Sequence, residues 1–286
     1  MIRTINIRRA RNISLLFLIA ILLISYIPNF FKSGDNLSKT SIGYVETGIT
    51  GLMVNLIQDN GLDESNNIKA NFRGYSNPIA LNNALVAGEI DVALGTGANA
   101  VAKARESGHD IKYFFPNVLN SVSLLAPKSS EIDSVQHLVG KKIGWYGAQT
   151  SGGTALYLIL LEMGYTPLKD FTFIDQKPIT LQPTLTRKEV DAILIFEPFV
   201  SRLLSTGDYK EILGPFWKAW ADKYNSPLEL SGYAAKDLWI GENKKTASNL
   251  IAMWKDAVNT FKKEPTIHLN KYHCCPINFH ENDNLV

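Results

Sequence analysis

The residues of this 286-residue chain that could do chemistry gather in short loops. The first loop is Gln149-Thr150-Ser151-Gly152-Gly153-Thr154, predicted between a strand and a helix. Its two glycines let backbone approach a ligand closely, and three hydroxyls are available as donors. A helix start also presents N–H groups without partners and a partial positive charge, so the loop suits a sulfonate, carboxylate, nitrate or phosphate. A second strand-to-helix loop, Glu46-Thr47-Gly48-Ile49-Thr50-Gly51, repeats the pattern with a carboxylate at its head. Glu46 would repel a bare anion or pair with an amino group on a ligand; the other option is a solvent-facing rim. A third loop, Gly95-Thr96-Gly97-Ala98-Asn99, goes with another helix start at Tyr75-Ser76-Asn77. Its Gly-x-Gly lacks the third glycine of a dinucleotide fingerprint and follows several earlier elements, so it is expected to shape a cleft. Glu197-Pro198 closes an apolar run, and Glu197 either accepts from a ligand N–H or forms a structural ion pair. Tyr44, Tyr75, Trp145, Tyr146 and Phe196 are candidate aromatic walls, although Trp145 and Tyr146 point to opposite faces of their strand.

No catalytic set accompanies these loops. The sequence has neither a Gly-x-Ser-x-Gly elbow nor a His-Glu-x-x-His helix. His109 and His137 read as surface residues, and His268, His273 and His280 fall in an unusual tail. His273, Cys274, Cys275 and His280 match no zinc spacing, so neither metal nor cofactor is expected.

The elements that would position the loops alternate between strand and helix. Strands are predicted at Ser41–Val45, Ile90–Leu94, Ile111–Phe115, Val122–Ala126, Lys142–Tyr146, Phe171–Ile174 and Ala192–Phe196. Helices are predicted at Gly51–Gln58, Ala98–Ser107, Thr154–Met163, Gln182–Lys188 and Lys244–Lys263, the last amphipathic with Leu250, Trp254, Val258 and Phe261 on one face. A further helix carries its own punctuation: Asn77 at the cap, Pro78 at the first position and Gly88 past the end. Such alternation predicts right-handed βαβ units and mostly parallel sheets.

The amino end differs in kind. Arg3, Arg8, Arg9 and Arg11 precede an apolar run from Ile13 to Ile27, the layout of a secretory signal. No small-x-small cleavage site follows, and with Phe30 and Phe31 the stretch approaches the ~20 residues that span a bilayer. Residues 1–35 are therefore read as a signal peptide or an uncleaved membrane anchor, with the remainder outside the cytoplasm. That segment holds five of the 29 basic residues and one of the 27 acidic ones. The body is thus near neutral, which excludes a nucleic-acid partner.

Three stretches carry a resemblance: Ile42-Gly43-Tyr44 with Glu46-Thr47-Gly48; Leu81-Asn82-Asn83-Ala84-Leu85-Val86-Ala87-Gly88-Glu89-Ile90-Asp91-Val92-Ala93; and Leu138-Val139-Gly140-Lys141-Lys142-Ile143-Gly144 with Ser151-Gly152-Gly153-Thr154. Over residues 40–240 the chain resembles the periplasmic solute-binding proteins of ABC importers for nitrate, sulfonates, taurine and the thiamine pyrimidine precursor. The resemblance implies a type II two-lobe α/β fold, each lobe a mostly parallel sheet flanked by helices, with residues 40–120 plus 215–286 in lobe one and 121–214 in lobe two. It also implies a monomer that closes on a small-molecule ligand and delivers it to a membrane permease. Two acids in the cleft, Glu46 and Glu197, would favour a ligand with nitrogen donors, such as a pyrimidine or an amino-sulfonate. Two other readings share the fold: an enzyme acting on a pyrimidine precursor, and an anchored extracellular sensor.

Overall fold

The computed structural model describes residues 37–271; the expected N-terminal anchor and the tail with His273, Cys274, Cys275 and His280 lie outside the described residues. The chain runs β1 (Ser38–Val45), α1 (Gly48–Asp59), β2 (Ile68–Tyr75), α2 (Pro78–Ala87), β3 (Val92–Thr96), α3 (Ala98–Glu106) and β4 (Ile111–Leu119). It continues through β5 (Val122–Pro127), β6 (Lys142–Trp145), α4 (Ser151–Glu162), β7 (Thr172–Asp175), α5 (Pro178–Thr186), β8 (Ala192–Phe196), α6 (Phe199–Ser205), β9 (Tyr209–Leu213) and α7 (Phe216–Tyr224). It ends with β10 (Glu229–Lys236), α8 (Asp237–Glu242), α9 (Lys244–Lys263) and α10 (Pro265–Lys271).

Two five-stranded sheets result, in the orders β2-β1-β3-β10-β4 and β7-β6-β8-β5-β9. β1, β2 and β3 pair in parallel, whereas β10 is antiparallel to β3 and β4. In the second sheet β6 pairs in parallel with β7 and β8, and β5 is antiparallel to β8 and β9. The sheets are therefore mixed rather than mostly parallel. The reason is connectivity. Only two residues separate β4 from β5, and β10 starts only after the chain has returned from the second sheet, so each inserts against the grain of its neighbours.

Helices cover both faces of the first sheet. On one, α1 and α9 bury Leu52, Met53, Leu56, Leu250, Met253, Trp254 and Phe261 against Ile42, Leu94 and Tyr233. On the other, Leu81 and Leu85 of α2 and Val101 of α3 meet Val45, Ala93 and Ala234. The second sheet has its own core, built from Leu124, Ile143, Leu156, Leu160, Leu181, Leu185, Ile193 and Leu203. The segment from 215, expected with lobe one, starts by packing on lobe two: Phe216 is buried in that second core. Its position is fixed at the crossover, where Trp217 N donates to Asn120 O at 2.9 Å and Asn120 N donates to Leu228 O at 2.8 Å. The two chain crossings between the sheets are thus tied through one residue.

Local punctuation sets the helix starts. Asn77 Oδ1 accepts from Ala80 N at 2.9 Å with Pro78 following, and Gly88 ends α2 at φ 77°. α4 starts three residues before its predicted position because Thr150 caps it, accepting from Gly153 N at 3.1 Å. Ser151, Gly152 and Gly153 are thereby drawn into the first helical turn. Among the described residues, no helix is long and apolar enough to cross a membrane, and no group of His, Cys, Asp and Glu is placed to hold a metal.

Candidate functional site

The carboxyl ends of β1, β3, β6 and β8 feed a cleft between the two sheets that is partly open to solvent. The starts of α1, α3 and α4 border it, through Thr47 and Thr50, Gly97 and Ala100, and Gln149 to Gly152. Asn82 of α2, Tyr146, Phe196 and Ser231 complete its polar and aromatic surface. None of the described lining residues carries a charge. An anion placed here meets backbone N–H groups and helix dipoles rather than a cationic side chain.

The turn into α4 is tightly bonded to the protein itself. Thr150 Oγ1 donates to Gly147 O at 2.8 Å while accepting from Gly153 N. Thr154 Oγ1 donates to Ala148 O at 2.9 Å and accepts from Asn99 Nδ2 at 2.7 Å. Ser151 Oγ donates to Asn99 Oδ1 at 3.0 Å. Asn99 belongs to α3, so one carboxamide clasps the two lobes together, and a Cβ at Gly97 would overlap Ser151. The three hydroxyls expected to donate to a ligand are therefore already committed. What α4 still offers the cleft is the N–H of Ser151 and of Gly152, the first two positions of the helix, which have no partner within it.

The turn into α1 is built differently. Thr47 stands at the cap position with an extended backbone, but its side chain does not cap the helix. The Thr47 hydroxyl is buried without a hydrogen-bond partner. Gly48, at φ 75°, lets Phe196 of the other lobe close over it, since a Cβ there would lie 2.5 Å from the ring. Tyr146 brings a second buried hydroxyl without a partner. Burial pushes its phenol above the ordinary pKa, so it remains a neutral O–H donor. Its ring meets Phe196 edge to face at 5.3 Å, while its neighbour Trp145 stacks on Phe173 in the core. Two buried hydroxyls and two sets of helix N–H groups thus converge on the same gap. Buried polar groups without protein partners are uncommon and mark a place where something else supplies them.

Several residues singled out from the sequence stand elsewhere. Glu46 is exposed, its side chain laid over Gly74 of β2 rather than into the cleft. The Glu197 carboxylate accepts from Ser201 N at 3.1 Å and Ser201 Oγ at 2.9 Å, which ties it to the first turn of α6. Neither acid lines the cavity, so the expectation of a ligand with nitrogen donors loses its basis. Asn77 is a helix cap, Ser76 accepts from Asn77 Nδ2 at 3.3 Å, and Tyr75 packs on the core beneath α2. Gly95 lines the cavity, but Thr96 is buried and donates to Asn82 Oδ1. Gly153 and Thr154 sit one step behind the lining. Of the lining residues, Val45, Pro78, Asn82, Ala100, Leu230 and Ser231 were not singled out for the site from the sequence; the signal for Asn82 was the Asn82-Asn83 pair in an otherwise apolar helical stretch.

The two mixed sheets, the paired crossings and the cleft between them define a two-lobe periplasmic-binding fold. The chain belongs to the NMT1/THI5-like family, whose signature matches residues 118–266. Solved structures agree on the fold. The alkanesulfonate-binding protein SsuA of Xanthomonas axonopodis pv. citri, bound to MOPS, superposes with a TM-score of 0.66 at 18% identity, covering 84% of this chain and 79% of that one. The periplasmic aliphatic sulphonate-binding protein SsuA of Escherichia coli gives 0.66 at 19% identity, with 84% and 80% covered. The periplasmic nitrate-binding protein NrtA of Synechocystis PCC 6803 gives 0.65 at 15%, with 87% and 73% covered. No curated protein matches by sequence.

Proposed function

We propose that this chain is an extracytoplasmic solute-binding protein of an ABC-type importer, held at the membrane by residues 1–35, with a permease as its partner. Its ligand is a small molecule that presents to this cleft a singly charged anionic head on an apolar body, of the alkanesulfonate kind. The observation that carries this reading is the convergence of the α1 and α4 starts, with the unpaired hydroxyls of Thr47 and Tyr146, on a cleft whose described lining has no charged side chain. Helix starts favour negative charge but do not neutralise a second one, and Tyr146, Phe196, Ile49 and Leu230 suit an apolar body. The sulfonate-binding and nitrate-binding neighbours share this chemistry of ligand. On this reading lobe one comprises 38–119 with the chain from 229, lobe two comprises 122–213, and closure is sealed by Asn99 across the gap.

The test is Ser151→Asp, which puts a negative charge at the first position of α4. Calorimetry with short alkanesulfonates, taurine and nitrate is expected to show binding by the parent chain and at least a hundredfold loss in the variant. Unchanged affinity would remove the α4 turn from the site.

A further inference from the structure

A second cavity opens beside the cleft, between α2 and α3. It is partly open to solvent. Asn82, Ala100 and Gln149 line both spaces, so the cavity adjoins the cleft. Its apolar lining is Ile79, Val86, Ala100 and Ala104. Its far end is basic. Lys103 and His109 line it, no acidic residue does so among those described, and Lys103 makes no ion pair with any described residue.

Asn82, Gln149 and Ala100 stand between the two spaces, and Ala100 contributes only a methyl group. The Thr96 hydroxyl donates to Asn82 Oδ1, so the Asn82 oxygen is occupied and its NH2 is the group left for a ligand. Lys103 is one helical turn beyond Ala100, and Ser107 is two turns beyond. At 1.5 Å per residue the second chamber therefore runs on the order of 10 Å along α3.

We propose that the site has two chambers and that its ligand carries a second anionic group. The proposal rests on the reading of the cleft as an anion site. The first head lies against the starts of α1 and α4. An apolar spacer passes Asn82 and Ala100 along Val86 and Ala104. The second group, a carboxylate or another anion, ends beside Lys103. The ligand class is thus narrowed: the singly charged head that the cleft takes, on an apolar body long enough to carry a second anionic end to Lys103. The uncharged cleft accounts for one end of such a molecule and the free lysine for the other.

The experiment compares hexanesulfonate with its ω-carboxylate homologue on the full-length chain, by calorimetry at low and at physiological salt. The parent chain is expected to bind the ω-carboxylate at least tenfold more tightly, with the advantage shrinking as salt rises. Lys103→Gln is expected to remove that advantage and leave hexanesulfonate affinity unchanged, with an unaltered Tm because Lys103 is exposed. Equal affinity for the two ligands, or an advantage that survives in the variant, overturns the second chamber and leaves the cleft standing. Binding of neither ligand overturns the cleft as an anion site and the second chamber with it.

Discussion

The turns that open α1 and α4 face each other across one cleft and are built from similar residues, yet they spend their hydroxyls in opposite ways. In the α4 turn Thr150 caps the helix, Thr154 braces the loop, and Ser151 with Thr154 holds Asn99 of the other lobe. In the α1 turn Thr47 leaves the helix uncapped and keeps a buried hydroxyl unpaired. A hydroxyl bonded within its own turn stabilises that turn; one held dry and unpaired costs stability unless a guest completes it. On the proposed function the α4 turn is a structural clasp that lends two backbone N–H groups, and the α1 turn is the poised donor. Richness in serine, threonine and glycine does not measure what a loop has left to give.

The largest effect that separates the two turns is expected from Thr47→Val. The substitution keeps the shape and removes the hydroxyl. A hydrogen bond to a charged group contributes about 1.5–3 kcal/mol, so affinity for a short alkanesulfonate should fall roughly 10- to 100-fold. The Tm should hold or rise slightly, because a buried unpaired polar group has gone. Calorimetry and thermal melting together decide: a lower Tm with undiminished affinity would make Thr47 structural and erase the contrast.

Thr150→Val should behave in the converse way. It removes an N-cap, which costs about 0.5–2 kcal/mol. For a chain of this size the Tm should drop by about 1–8 °C. Affinity should change by less than fivefold, because the hydroxyl is used up between Gly153 N and Gly147 O. A large loss of affinity with an unmoved Tm would mean that the Thr150 hydroxyl reaches the ligand after all.

Legibility followed the range of the interactions. Asn77, Pro78 and Gly88 fix α2 within a dozen residues, and Ala192–Phe196 is an apolar run buried along its whole length, so both elements were plain. β2 was not: it is an edge strand, paired only with β1, and its sequence IKANFRGY leaves only Ile68 fully buried. β10 is central, but its small residues pair with β3 and β4, more than a hundred positions away, and no local pattern announces that. The same divide runs through the site. The loops could be placed because a strand-to-helix turn is a local event. Which hydroxyls remained available depended on Asn99, some fifty residues from Ser151, and that pairing exists only after both lobes have folded and met. The second chamber, between two helices read separately, was hidden for the same reason.

The smallest expected effect concerns the acid that heads the α1 turn. Glu46 occupies the same loop as Thr47 but turns outward, its carboxylate resting over Gly74 at the edge strand. An exposed charge acts on a cleft ligand only through water, where screening weakens it within about 8 Å at physiological salt. Glu46→Gln should therefore shift alkanesulfonate affinity by less than twofold, upward, since a like charge has been removed. The residual effect should vanish as salt is added. An increase of tenfold or more, insensitive to salt, would place the carboxylate inside the cleft; the poised-donor role would then be shared between neighbouring residues, and selection against more highly charged ligands would lie in the same turn that binds them.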